Sequence, residues 1–118
     1  MSQELENRFL RFAESVRDFC AKLKWDLINT QYIKQLIRSS SSVGANYIEA
    51  SDDLGKADEK MKIKISRREA KESAFWLKLV LVYGNPDLER QRMELMDEST
   101  QITKILSSII AKLSLAKP

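Results

Sequence analysis

The chain has 118 residues, 43% hydrophobic, 31% charged and 8% aromatic, with three glycines and two prolines, a composition that fits one compact domain. Cys20 is the only cysteine and histidine is absent, which excludes disulfide frameworks, Cys/His zinc sites, haem ligation and every imidazole mechanism. No cofactor or metal is expected. The start, Met1 to Glu6, has no basic stretch leading into an apolar run, and no run approaches the ~18 apolar residues of a membrane span, so a cytoplasmic protein without a membrane partner is expected.

The first helix is expected over about residues 3–24, where Leu5, Phe9, Phe12, Val16, Phe19 and Leu23 recur at steps of 4, 3, 4, 3 and 4. Cys20 lies beside this stripe and reads as a small core hydrophobe rather than a reactive thiol. Trp25 to Asn29 interrupts the pattern, and Asn29 or Thr30 is the expected cap of a second helix over about residues 31–51. Its apolar side reads Ile33, Leu36, Ile37, Ser40, Val43, Gly44 and Tyr47. The small Ser40 and Gly44, one turn apart, let a neighbouring backbone come close, which offsets glycine's helix penalty of ~1 kcal/mol. The run Ser39 to Ser42 lies inside this pattern and reads as helix.

Asp52-Asp53-Leu54-Gly55 is the expected stop. A third helix follows over about residues 58–83, ended by the turn residues Gly84-Asn85-Pro86-Asp87. In the fourth, about residues 87–115, Leu88, Leu95, Ile102 and Ile109 fall on a seven-residue period, with Leu106 and Leu113 between them. No segment alternates with a period of two. The expected fold is all-α: one up-down-up-down antiparallel four-helix bundle over residues 1–118.

Residues 56–78 hold eight basic and four acidic side chains, a balance of +4 against +3 for the whole chain, so the third helix carries the basic excess. Lys60, Lys64, Arg67, Lys71 and Lys78 are spaced 4, 3, 4 and 7 apart and share one narrow stripe. Such a stripe tracks phosphates and predicts salt-sensitive, largely sequence-independent nucleic-acid binding; the bland alternative is a solvated lysine face. No aromatic residue interleaves with the stripe, so stacking on bases is not expected.

The apolar side of this helix reads Met61, Ile65, Trp76, Leu79 and Tyr83, with Glu72 at its centre and Arg68 a turn earlier. A carboxylate buried there needs Arg68, Arg38 or a serine of the second helix as partner. A structural ion pair is expected rather than a general base, since no histidine, second convergent carboxylate or metal-ligand pair accompanies it; no catalytic residue is assigned. Arg38, Ser42, Ala45, Asn46 and Glu49 form a second, small and polar face on the second helix. Leu79 to Val82 make the end of the third helix apolar all round, a surplus that suggests cover by a second subunit.

Two strings carry a family resemblance. Arg38-Ser39-Ser40-Ser41-Ser42-Val43-Gly44-Ala45-Asn46-Tyr47-Ile48-Glu49-Ala50 resembles the R-S-x-S-[IV]-x-A-N-x-x-E-[AG] pattern of the four-helix bundle proteins encoded by intervening sequences in 23S rRNA genes. The segment Lys62 to Leu77, with Glu69-Ala70-Lys71-Glu72-Ser73-Ala74-Phe75-Trp76-Leu77, resembles that family's E-A-x-E-[ST]-x-[YF]-W-L motif. The resemblance implies a bundle that assembles as a homopentamer. A related branch, the accessory protein of diversity-generating retroelements, implies a positively charged barrel that works with a reverse transcriptase and its template RNA.

Carried over by residue, Arg38, Ser39, Ser42, Asn46, Glu49, Glu69, Glu72 and Trp76 match the pattern and, with Arg68, are expected to maintain packing or subunit contacts. The basic stripe is not among the matches. The expected function is therefore a non-enzymatic oligomeric bundle that binds RNA or DNA backbone through Lys60, Lys64, Arg67, Lys71 and Lys78; the alternative is a protein-interaction scaffold without nucleic-acid binding.

Overall fold

The computed structural model describes residues 2–50 and 55–115, in four helices: α1 (Gln3–Ala21), α2 (Leu27–Ala50), α3 (Lys56–Leu79) and α4 (Pro86–Leu115). Each helix packs on its neighbours in chain order and α4 closes back on α1, while the diagonal pairs do not meet. Residue numbers rise on one helix as they fall on the next. Arg38 meets Glu69 and Glu49 meets Lys62 across α2 and α3, and Arg67 meets Ser107 and Ala70 meets Ser99 across α3 and α4. The result is the expected antiparallel bundle, a rod of 54 × 22 × 20 Å.

The α1 stripe is buried as its spacing predicts, through Phe9, Phe12, Val16, Phe19 and Leu23. Cys20 is buried beside it, and that burial pushes its thiol up to about 12, so it is inert. The side chain of Ser2 caps α1 by accepting from the Leu5 amide at 3.1 Å, and its own amide donates to the Tyr47 hydroxyl at 2.9 Å. Phe9 lies against Gly44, where an added Cβ would stand 3.4 Å from the Phe9 Cβ, an ordinary contact distance, so α1 comes close at this point without requiring glycine.

Five described boundaries differ from expectation: α1 ends at Ala21 rather than residue 24, α4 starts one residue early at Pro86, and the other three lie at the ends of α2 and α3. Helix α2 begins four residues early because Asp26, not Asn29 or Thr30, is its cap: Asp26 Oδ1 accepts from the Asn29 amide at 2.8 Å. Asn29 is buried and ties two connections together instead, donating to the carbonyls of Lys24 and Leu81 and accepting from the Leu81 amide. Helix α2 is described to Ala50, and the expected stop at 52–54 and Ser51 lie outside the described residues. Gly55, at φ 93°, immediately precedes α3, which starts two residues before the expected point.

The third helix ends at Leu79, not Tyr83. Val80 turns extended (φ −59°, ψ 140°), and Asn29 and Arg92 take up the polar groups of Leu81 and Val80 that a helix would have used. Beyond that point the backbone alternates: Val80 and Val82 enter the core while Leu81 and Tyr83 face out. The apolar surplus assigned to a second subunit is therefore largely absorbed by this chain's own core. Asn85 caps α4 through the amides of Asp87 and Leu88, with Pro86 at the first helical position.

In α4 the seam holds at Leu88, Leu95, Ile102 and Leu106 but then passes to Ile110, leaving Ile109 and Leu113 half-buried. A straight helix drifts by ~20° per heptad against a strict seven-residue repeat, and three heptads shift the buried position by most of a residue. No helix among the described residues is long and apolar enough to cross a membrane.

Candidate nucleic-acid interface

Helix α3 lies between α2 and α4, and its core face differs from the one expected. Ile63, Ser66, Ala70, Ser73 and Leu77 are buried, whereas Met61 is exposed and Ile65, Trp76 and Leu79 are half-buried. Three small residues within that face let both neighbours approach closely enough for direct side-chain-to-backbone bonds across each seam. Ser66 Oγ donates to the Val43 carbonyl of α2 at 2.7 Å, and Ser99 Oγ of α4 donates to the Ala70 carbonyl at 2.7 Å. Ser39 and Ser73 share a buried hydroxyl contact of 3.0 Å. A hydrophobicity pattern that weighs large side chains points to the wrong face here.

The carboxylate in the seam is Glu69, with 8% of its side chain exposed, and not Glu72, which is 42% exposed. Arg38 donates to both, Nη1 to Glu69 Oε1 and Nη2 to Glu72 Oε2, each at 3.1 Å. Arg68 is exposed, and its guanidinium is 3.9 Å from Glu69. Burial pushes the Glu69 carboxyl above the usual carboxylate value, reinforced by Glu72 and opposed by Arg38. Glu72 is held below that value, first by its neighbour Glu69 and then by Arg38.

The remaining family-pattern residues lie along the same α2–α3 seam. Glu49 pairs with Lys62 at 2.8 Å, Ser42 Oγ donates to the Arg38 carbonyl, and Asn46 donates to the Ser42 carbonyl. Trp76 stacks on Tyr32, with centroids 6.3 Å apart, and its buried indole N–H has no partner among the described residues. Sequence spacing brought Arg38, Ser39, Glu69, Glu72 and Trp76 to one seam, but it exchanged the roles of the two glutamates.

The five stripe cations follow the outer, α4-facing flank of α3. Lys64, Lys71 and Lys78 are exposed, and Lys60 and Arg67 are half-buried. None of the five has a carboxylate partner among the described residues; Arg67 instead donates to Ser107 Oγ at 3.2 Å. Lys64, Arg67 and Lys71 line a shallow groove of about 430 Å³, joined by Arg68, which the motif reading had assigned to packing; Lys60 and Lys78 lie beyond its ends.

The same groove is lined by Glu72, whose carboxylate is already engaged by Arg38, and by Phe75 and Trp76, which corrects the expectation that no aromatic accompanies the cations. The signal was present: Phe75 follows Lys71 by four residues and Arg68 by seven, so it falls on the edge of the basic stripe.

A larger groove, about 630 Å³, separates α1 from α4. Its cations are balanced by Glu4, Glu94 and Glu98, and Arg8 is committed to Glu98 through two hydrogen bonds of 2.9 and 2.8 Å. Size alone does not make it the better candidate for an anionic ligand, because three glutamates face its two arginines and leave it net acidic.

The chain is similar to a protein of unknown function from the S23 ribosomal protein family of Bacteroides thetaiotaomicron VPI-5482, whose crystal structure superposes with a TM-score of 0.75 at 31% identity. The match covers 89% of this chain and 96% of that one. No curated protein is significantly similar in sequence. The family profile of the 23S rRNA-intervening sequence protein matches residues 3–108, which include both motifs and the whole α2–α3 seam, and the chain belongs to that family.

Proposed function

We propose that this protein is a non-enzymatic, oligomeric bundle that binds the backbone of RNA or DNA through the cations of α3. The observation that supports it is the run of cations without carboxylate partners along one outer flank, while the other flank pairs its charges internally. An unpaired cation in water gains little from its own fold and is free to displace counterions from phosphate.

Each chain carries a formal +3, and a homopentamer would carry +15, turning weak contacts into avidity. A homopentamer and a reverse-transcriptase partner are what the family resemblance suggests. Sedimentation tests the first: a monodisperse monomer rejects it. The scaffold reading is favoured by one feature, the outward Met61, which is 55% exposed on the apolar side of α3. An oligomer that never retards nucleic acid would select it.

The test of binding is fluorescence anisotropy against mixed-sequence RNA and DNA at two salt concentrations. Affinity should fall steeply with salt, and Lys64→Glu with Lys71→Glu should weaken binding across all sequences and reduce the logarithmic salt slope by roughly 2. Binding unchanged by the double substitution rejects this surface.

A further inference from the structure

We infer, on the reading that α3 binds nucleic acid, that its ligand is single-stranded, with a base stacked on Phe75. Phe75 is 55% exposed in the wall of the groove that Lys64, Arg67, Arg68 and Lys71 line. Lys64, Arg68 and Lys71 precede it by 11, 7 and 4 residues, so cations and ring occupy one arc of the helix surface. From Lys64 to Phe75 the helix rises about 16 Å, room for several nucleotides of an extended strand.

The ring is held from behind. It meets Trp76 in a T-shaped contact, with centroids 5.1 Å apart and planes at 72°, and Trp76 is itself stacked on Tyr32. A T-shaped contact uses at most one face of Phe75, and the residue remains 55% exposed. A phenyl ring fixed in that way is a stacking platform whose ordering entropy has already been lost on folding.

Duplex does not use this platform. Its base faces are covered by their neighbours in the stack, so a duplex offers Phe75 no base face and meets the cations instead. A single strand offers both a phosphate track and open base faces. Stacking on an aromatic ring is sequence-tolerant because every base has a π-face, so a broad sequence range is expected. A protein segment carrying acidic and aromatic residues is the competing occupant.

The test uses the full chain with a fluorescein-labelled mixed-sequence RNA strand of about 20 nucleotides, its duplex, and an abasic strand of the same length. The intact single strand should bind tightest. Phe75→Leu should weaken it roughly 5- to 100-fold while leaving duplex and abasic strand unchanged, and Phe75→Tyr should restore it. Circular dichroism confirms that each variant remains helical.

Equal loss on all three probes, or a preference for duplex, overturns the stacking role. If Phe75→Leu changes nothing while Lys64→Glu with Lys71→Glu abolishes binding, the stacking inference fails and backbone binding stands. If the wild-type protein binds none of the probes, both fail and the protein-segment occupant takes their place.

Discussion

Both flanks of α3 are charged, and they use their charges differently. On the α2 side Arg38 bridges Glu69 and Glu72, Lys62 meets Glu49, and Ser66 and Ser73 join the helices through buried hydroxyls. On the outer side Lys64, Lys71 and Lys78 extend into water with no carboxylate among the described residues. Charge content by itself would give both flanks the same role. Partnership separates them: the paired flank contributes to the fold, and the unpaired flank is available to a ligand.

The sharpest way to break this contrast is to remove one cation from each flank and compare stability. Arg38→Ala leaves Glu69 buried without its main partner. A fully buried pair would cost 3 to 5 kcal/mol, but Arg38 is 46% exposed and Glu69 can take up a proton, so a loss of about 2 kcal/mol, roughly 8 °C in melting midpoint, is expected. Lys64→Ala with Lys71→Ala should stay within about 0.5 kcal/mol of the parent by the same thermal melt. Equal losses would mean that the outer flank is structural too.

A smaller effect compares two serines. Ser66→Ala removes a fully buried 2.7 Å bond to the Val43 carbonyl and should cost about 1 kcal/mol in urea unfolding. Ser107→Ala removes only the half-buried acceptor of Arg67, so its midpoint should move by no more than a few tenths of a kcal/mol. A larger loss at Ser107 would place a stabilising anchor on the flank assigned to ligand.

What was legible in the sequence follows from side-chain size. Phe9, Phe12, Val16 and Phe19 announce α1 because large apolar residues at helical spacing have only one stable destination. The α3 core face is built from Ser66, Ala70 and Ser73, which a hydrophobic pattern scores as surface, and its reading went to the larger Met61 and Ile65. Val80 to Tyr83 resemble helix by composition, but β-branched valines two apart also suit an extended strand, and the distant Asn29 decides between them. Arg38 was identified as a partner for the buried carboxylate, whereas the choice between Glu69 and Glu72 depends on where α2 crosses, which no local spacing encodes. Phe75 was missed for the converse reason: the reading looked for aromatics between the cations, and the ring stands at their edge.

The smallest predicted effect concerns the proton that Glu69 and Glu72 share. Glu69 is raised above its ordinary value of 4.5, so the stability it contributes is fully present below that value and is lost as pH rises through the higher folded one. Glu72 is lowered from 4.5, so its contribution is present above that value and is lost as pH falls through the folded one. The two act in opposite directions and partly cancel in the parent protein. Glu69→Gln removes the first contribution, and its amide still offers Glu72 a donor, so the second survives. The melting midpoint of the variant relative to the parent should therefore climb as pH is raised above 4.5 and level off once Glu69 is ionised in the folded parent. A difference that stays flat or shrinks over that interval would mean that Arg38 holds Glu69 ionised, and that burial does not govern the seam.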